Sequence, residues 1–148
     1  MPDTQAPGTN CNIGVLTTES VLAHWDEVAP FISAALIYGE TPLSEIKAGI
    51  EANKILAIQV LEGERLVAIL TVEIVNTQLR GQMKRMLNSI TCTGYAIEQS
   101  KEPVVDFLTD LARAEGCDGL MLKGRNGWGK RLKPLGYKVA YTVLTRVL

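Results

Sequence analysis

The sequence predicts a single α/β or α+β domain, in which a mixed central sheet carries helices on both faces. Three observations lead to this prediction. The chain has 148 residues, a usual length for one domain, and contains no internal repeat. Apolar residues make up 47% of it, enough to bury a core without a disulfide or a metal ion. Segments with the apolar spacing of strands and of helices alternate along the chain.

The N-terminal part is predicted to form one strand and two helices. Residues 12–16 are a short apolar stretch typical of a strand. Ser20 offers an N-cap for the first helix, and Pro30 is expected to end or kink it. Thr41 and Pro42 predict the start of the second helix, because a capping hydroxyl followed by proline at the first helical position is a start signal.

Three strands are predicted in the middle of the chain. Residues 55–61 and 66–75 form a hairpin around the turn at residues 62–64. The second of these strands is nearly all apolar and β-branched, so it is predicted to be buried on both faces. The polar residues 76–84 are predicted to be a loop, and residues 85–93 a third strand.

The C-terminal part is predicted to form a helix, a strand, a helix and a strand. Residues 103–114 carry one apolar stripe, with Pro103 in the first turn and Gly116 beyond the end. Residues 120–122 are a short strand, residues 128–135 a short helix, and residues 139–148 a final strand or two halves of one. The predicted order is β-α-α-β-β-β-α-β-α-β.

Compartment is predicted from the cysteines and the N-terminal segment. Cys11, Cys92 and Cys117 are odd in number and widely spaced, which argues against zinc and against a secreted disulfide framework. Residues 1–11 form a polar arm ahead of the domain at residues 12–148, without the basic and apolar regions of a signal peptide. We therefore expect a cytoplasmic protein, with no metal.

The net charge of −1 conceals a division along the chain. Residues 1–118 carry all 16 acidic and 8 basic residues, a net charge of −8, whereas residues 119–148 carry 7 basic residues and no acid. Six of these bases, which we call the basic face, fall within sixteen residues: Lys123, Arg125, Lys130, Arg131, Lys133 and Lys138.

The basic face has three possible interpretations. It suits docking on another protein or on the acidic part of a second copy. Nucleic acid is a further partner left open, although no nucleic-acid motif accompanies the bases. A solvated surface explains the pattern equally well. No membrane partner is expected, because the longest apolar run, Leu66–Val72, is far shorter than the roughly 20 residues that cross a bilayer.

The order of elements resembles the GNAT superfamily of N-acetyltransferases over residues 12–148. The local resemblance is strongest in residues 112–125, followed by Trp128 and Gly136-Tyr137. Four glycine-containing pairs are similar to those of a subgroup of small GNAT-like proteins from tailed phages: Gly116-Cys117, Gly124-Arg125, Gly127-Trp128 and Gly136-Tyr137. The host cytoplasm or the virion is then the expected location.

The resemblance implies an acetyl-CoA site between the third predicted strand of the middle part and the strand at residues 120–122, where the two splay apart. Pantetheine would pair with the backbone of residues 91–93, and the pyrophosphate would lie at the N-terminus of the helix that starts at Pro103. The cofactor-binding residues implied in this way are Thr91, Cys92, Thr93, Gly94, Lys101, Asn126 and Trp128.

The sequence departs from the phosphate-binding loop of that family, Gln/Arg-x-x-Gly-x-Gly/Ala. Residues 94–103 contain one glycine, and Glu98, Glu102 and Asp106 crowd the predicted helix start, where carboxylates would repel a pyrophosphate. Only Lys101 offsets them. Residues 78–83 fit Gln-x-x-Gly-x-Met and are a rival placement, but strand-like residues follow them instead of a helix.

The resemblance also implies catalytic residues. The family's tyrosine that protonates the departing thiolate falls at Leu132, so Tyr137 and Tyr141 are the candidates to replace it. Glu73 on a strand and His24, the one histidine, are the candidates for the general base. Burial can raise the pKa of a strand carboxylate toward neutrality.

Most of these residues also have an ordinary structural reading. His24 and Glu73 fit a solvated surface, and Trp128 and Cys92 fit a packed core. Two classes of function therefore stay open. One is an acyl-CoA-dependent N-acyltransferase that transfers acetyl to an amine by direct attack. The other is a GNAT-like phage protein without catalysis, acting as a structural virion component or a host-protein-binding module.

Overall fold

The structure, a computed structural model, describes residues 11–36, 41–92, 94–123 and 126–148. The arm predicted over residues 1–11 lies outside the described residues, apart from Cys11, which begins the first strand. The strands and helices are β1 Cys11–Leu16, α1 Thr18–Ala23, α2 Trp25–Ala35, α3 Leu43–Glu51, β2 Ile55–Glu62, β3 Arg65–Leu79, β4 Gln82–Thr91, α4 Gly94–Ala114, β5 Gly119–Leu122 and α5 Asn126–Leu132. A 3₁₀ turn at Lys133–Leu135 follows α5.

The five strands form one mixed sheet in the order β1-β2-β3-β4-β5. The first four are antiparallel neighbours, and β5 pairs with β4 in parallel. A parallel neighbour needs a crossover connection, which α4 provides. The predicted α/β architecture is confirmed.

The core lies on both faces of the sheet because successive residues of β3 point to opposite sides. Ala68, Leu70 and Val72 are buried against the stripe of α4 that includes Val104 and Leu108. On the other face, a second cluster joins β2 and β3 to the first three helices: Val21, Val28, Ile32, Ile46, Ile50, Ile55, Ala57 and Ile69. No helix in the described part of the chain is long and apolar enough to cross a membrane.

The first helical region differs from the prediction in where it breaks. The Thr17 hydroxyl, and not Ser20, caps α1 by accepting the Ser20 N–H at 3.1 Å. The chain then turns at His24 and continues as α2, with Pro30 inside that helix. Proline removes one helical hydrogen bond there, but buried Val28 and Ile32 hold the helix on either side of it. The second predicted helix is α3, which starts one residue later than Pro42.

The hairpin of β3 and β4 is longer than predicted. The polar residues 76–84 continue both strands instead of forming a loop, and the turn is only Arg80-Gly81. Both turn residues have positive φ, 51° and 81°, as a two-residue type I′ turn requires. Polarity misled the prediction because this end of the hairpin extends beyond the core. The rival phosphate loop at residues 78–83 is therefore wrong, since a strand follows it.

The final strand predicted over residues 139–148 is also wrong. These residues have the composition of a strand, but the structure assigns them to none. A strand needs a hydrogen-bonded neighbour, and the large apolar side chains of this segment are exposed. The observed order therefore ends on α5 and the 3₁₀ turn.

Candidate active site

We call the region where the two parallel strands stop pairing the crevice. Residues 86–89 of β4 pair with residues 119–122 of β5, whereas β4 continues to Thr91. At the opposite end, Asp118 ties the two strands together: its carboxylate accepts the Arg85 N–H at 2.9 Å, and its own N–H donates to the Arg85 carbonyl at 2.6 Å. The carboxyl ends of parallel strands are the usual location of ligands in such sheets.

A β-bulge lies at the mouth of this crevice. Thr71 of β3 is opposite Thr91, but the next residue, Val72, is opposite Ser89, which leaves Ile90 as an extra residue in β4. Such a bulge bends its strand and increases the local twist, so β4 turns away beyond the end of β5. The buried Thr71 and Thr91 hydroxyls satisfy each other with a hydrogen bond.

The N-terminus of α4 borders the crevice, because this helix begins at Gly94, two residues after Cys92. It was predicted to begin at Pro103, which instead lies inside the helix. The first turn contains no acidic residue. The predicted helix start at Pro103 is therefore wrong, and Glu98, Glu102 and Asp106 lie beyond the first turn of α4. The N–H groups of this first turn have no intrahelical acceptor.

The predicted cofactor-binding residues fall on the end of β4, on α4 and on α5. Thr91 ends β4 and is buried, Cys92 follows it, and Lys101 is a half-buried residue of α4. Asn126 begins α5, and its side chain lies outside the described part of the structure, as does Thr93.

Trp128 of α5 and Cys92 pack against the same apolar cluster below α4. The Arg131 guanidinium lies 5.7 Å from the centre of the Trp128 ring, within the range of a cation–π contact. Trp128 thus joins α5 to the core beside the crevice. Leu132, at the position of the family's tyrosine, is buried.

Tyr137 and Cys92 come together although 45 positions separate them in the sequence. Gly136, with a φ of 92°, reverses the chain after the 3₁₀ turn, and the Tyr137 N–H donates to the Leu132 carbonyl at 3.2 Å. Burial raises the pKa of the Cys92 thiol to about 12. Burial, followed by the charge of Cys92, raises the pKa of Tyr137 to about 12. Both groups therefore keep their protons at neutral pH.

Glu73 lies on the opposite face of the sheet, since it alternates with Val72, which packs under α4. Its cross-strand neighbour on β4 is Asn88. The Asn88 Oδ1 atom is buried and has no hydrogen-bond partner among the described residues. A buried acceptor without a donor is costly, so the Asn88 oxygen, beside the Glu73 carboxylate, is open to a donor that the described residues do not supply. Sequence reasoning missed Asn88, because nothing marks it before the register is known.

The remaining candidates lie away from the crevice or on its rim. His24 is exposed at the junction of α1 and α2, with Nδ1 3.1 Å from the Ser20 carbonyl oxygen. Tyr141 is exposed beyond the last helix. In the basic face, Arg125 lies outside the described residues, and the other five members are exposed: Lys123, Lys130, Arg131, Lys133 and Lys138. Within the described residues, no group of three His, Cys, Asp or Glu side chains is arranged to hold a metal ion.

The thiol of Cys92 makes stability depend on alkaline pH. Its pKa is 9.0 in an unfolded reference and about 12 in the folded protein, so its contribution is full below pH 9 and is lost between pH 9 and 12. In this window, one titrating group lowers the free energy of unfolding by about 1.4 kcal/mol per pH unit. The free energy of unfolding is measured in urea at pH 7.5, 9 and 10.5. Between pH 7.5 and 10.5 it should fall by about 2 kcal/mol less in Cys92→Ala than in the wild type. Cys117→Ala serves as the control, and an equal loss in Cys92→Ala would refute this assignment.

Comparison with known proteins supplies structural matches only. No protein-family model matches the chain, and no curated protein matches it in sequence. Solved structures do match. The aminoglycoside N-acetyltransferase AAC(6')-Iy in complex with a bisubstrate analogue superimposes with a TM-score of 0.65 at 11% identity, covering 95% of this chain and 99% of that one.

Two further structures extend this similarity. A predicted acetyltransferase from Clostridium acetobutylicum, solved with acetyl-CoA, has a TM-score of 0.61 at 11% identity and covers 93% of this chain and 96% of that one. The ribosomal-protein-alanine N-acetyltransferase of Brucella melitensis has a TM-score of 0.58 at 15% identity, with 93% and 97% covered. The described chain therefore has the fold of the GNAT N-acetyltransferases, which confirms the predicted superfamily fold.

Proposed function

We propose that this protein is an N-acetyltransferase that transfers the acetyl group of acetyl-CoA to an amine. The observation that carries the proposal is the open edge of β4 beyond Ser89, followed directly by the N-terminus of α4 without an acid in its first turn. Free strand N–H and C=O groups suit the amides of pantetheine, and the free N–H groups of a helix N-terminus suit a pyrophosphate. Lys101 adds a positive charge in the second turn of this helix, which offsets the charge of Glu98 in the same turn.

Acetyl-CoA supplies the acetyl group as a thioester, and the residues of the chain manage two protons. Glu73 accepts the proton that the amine nitrogen loses as it attacks the thioester carbon. Tyr137 gives its phenolic proton to the CoA sulfur as the carbon–sulfur bond breaks, and a pKa of about 12 keeps that proton in place at neutral pH. The Asn88 Oδ1 atom, which has no partner in the described structure, accepts a hydrogen bond from the amine.

Transfer is direct in this proposal, without an acetylated cysteine. A thiol must ionise to act as a nucleophile, and burial holds the pKa of Cys92 at about 12. Because Cys92 stays protonated, it lines the crevice as an apolar contact. The amines named for similar structures, an aminoglycoside and a ribosomal-protein alanine, are the first acceptors to test.

The test is release of free CoA thiol from acetyl-CoA in the presence of these two amines. We expect amine-dependent release by the wild type and by Gly14→Trp on β1, where an added Cβ meets no atom within 4 Å. Gly94→Trp, which obstructs the start of α4, should abolish it. Thiol release that no amine stimulates, or that Gly94→Trp leaves intact, would contradict the proposal.

One observation favours a second candidate, a GNAT-like domain without catalysis that acts as a virion component or binds a host protein. Leu132, at the position that the resemblance assigns to the family's tyrosine, is apolar and buried. This candidate predicts no amine-dependent thiol release and no loss of partner binding in Tyr137→Phe.

A further inference from the structure

A cavity of about 450 Å³ lies at the far end of the β3–β4 hairpin. Most of its lining comes from residues 78–86, which are the last residues of β3, the turn and the first residues of β4. Asp118 and the beginning of the C-terminal tail, which comprises residues 138–148, complete the lining. This volume is within the range of small-molecule sites, roughly 300–1,000 Å³.

Basic side chains predominate among the charged residues that line this cavity. Arg80, Lys84 and Lys138 contribute three cations, and Asp118 is the one carboxylate among the described lining residues. The Asp118 carboxylate already accepts the Arg85 N–H at 2.9 Å. None of the three bases makes an ion pair with a described residue, although Lys84 is half-buried. The cavity therefore has an excess of positive charge.

The strand register places these bases next to an apolar wall. Successive side chains of a strand point to opposite faces, so Lys84 lies on the same face of β4 as Met86, which is buried. Leu79 of β3 and Val139 of the tail add further apolar surface to the lining. An apolar lining with a few convergent polar groups is typical of sites for small organic ligands.

Arg80 occupies a well-defined backbone position beside the cavity. It has a φ of 51° and forms the two-residue turn with Gly81, directly after the last paired residues, Leu79 and Gln82. A turn of this kind has a narrow choice of backbone angles. The guanidinium group is a planar fork that binds a phosphate or a carboxylate through two hydrogen bonds. Arg80 thus offers such a donor pair from a defined point of the hairpin.

The cavity and the crevice lie at opposite ends of the paired strands. Lys84 precedes Thr91 by seven residues on β4, which corresponds to about 23 Å along the strand. Asp118, which lines the cavity, ties β4 to β5 at the end away from the crevice. A small ligand in the cavity therefore does not reach the residues proposed to bind acetyl-CoA.

We infer that this cavity is a second ligand site, which binds a small organic anion. The phosphate or carboxylate group of the ligand pairs with Arg80, Lys84 and Lys138, and its apolar part contacts Leu79 and Met86. A concave site suits a small molecule, whereas a nucleic acid binds along an extended basic surface. The inference does not depend on the proposed acetyl transfer, because no residue of the crevice takes part.

Nuclear magnetic resonance titration of the isotope-labelled full chain tests this inference with three probes of similar shape. Phenyl phosphate and benzoate carry the two kinds of anionic group, and benzyl alcohol is their neutral counterpart. We expect phenyl phosphate to shift the backbone amide signals of residues 78–86 and 138–141, with a Kd below about 1 mM. Benzyl alcohol should bind at least about 10-fold more weakly. Saturating acetyl-CoA should leave these shifts unchanged.

Three variants remove one positive charge each. Arg80→Asn keeps a residue that suits the positive φ of the turn, and Lys84→Gln and Lys138→Gln keep a long polar side chain. Each variant should weaken the binding of phenyl phosphate at least about 10-fold, because a charge-assisted hydrogen bond is lost. Lys54→Gln, which removes an exposed lysine just before β2, is the matched control and should bind like the wild type.

The two anionic probes distinguish the kind of ligand. Tighter binding of phenyl phosphate supports a phosphate ligand, and tighter binding of benzoate supports a carboxylate ligand. Absence of shifts with both anions at about 10 mM would overturn the inference, as would equal shifts with benzyl alcohol or shifts that all three variants leave unchanged. Shifts confined to residues 91–97 and reversed by acetyl-CoA would also overturn it, since the probes would then occupy the crevice.

Discussion

Replacing Tyr137 with phenylalanine is expected to lower kcat for acetyl transfer by about 10²–10⁴-fold, the usual contribution of general acid catalysis. The variant loses only the phenolic oxygen, so the packing of the ring and the affinity for acetyl-CoA should stay as they are. Rates of thiol release at saturating acetyl-CoA measure the effect. Tyr141→Phe is the matched control, because Tyr141 is 58% exposed in the tail.

The alkaline pH profile adds a second readout for Tyr137. An acid must carry its proton to act, and the pKa of about 12 keeps Tyr137 protonated well above pH 10. The wild-type kcat should therefore show no decline from this group below about pH 11. A Tyr137→Phe enzyme within threefold of the wild type would remove Tyr137 from the mechanism.

Replacing Glu73 with glutamine is expected to lower kcat/KM by about 10²–10⁴-fold at pH 7, since the amide cannot accept the proton of the amine. The loss should shrink as pH rises, because a growing fraction of the amine is then already deprotonated. Initial rates from pH 6.5 to 9.5 measure this recovery. Glu64→Gln, at an exposed turn between β2 and β3, should match the wild type at every pH.

A different result for Glu73 would separate two roles. A loss that stays constant across this pH range would show that Glu73 positions the acceptor and does not take its proton. If kcat/KM of Glu73→Gln equals that of the wild type, the amine that accepts the acetyl group does not bind beside Glu73 and Asn88.

The sheet and most of the helices could be predicted from the sequence, because periodic apolar spacing determines which residues are buried. Ile58, Leu70 and Leu108 each lie in a predicted element and in the core. Segments that extend beyond the core escaped this reasoning. Residues 76–79 and 82–84 are strand although polar, and residues 139–148 are outside any strand although apolar. In both cases the deciding factor is a neighbouring strand, which local composition does not encode.

The candidate site was predictable in its parts but not in its arrangement. Cys92 and Tyr137 were each singled out from the sequence, but only the Gly136 turn brings them together. The predicted start of α4 is too late because Pro103 has the features of a first helical residue. With that start, Glu98, Glu102 and Asp106 lie near the helix N-terminus and count against binding of acetyl-CoA. Asn88 carried no signal of its own, since its unpaired oxygen is a consequence of strand register.

Calorimetric titration of acetyl-CoA into the full chain tests the central claim, that the crevice between β4 and β5 binds this molecule through the start of α4. The account predicts micromolar affinity for the wild type and for Gly14→Trp, and at least a 100-fold loss for Gly94→Trp with an unchanged circular dichroism spectrum. Absence of binding heat from the wild type at millimolar acetyl-CoA would contradict it.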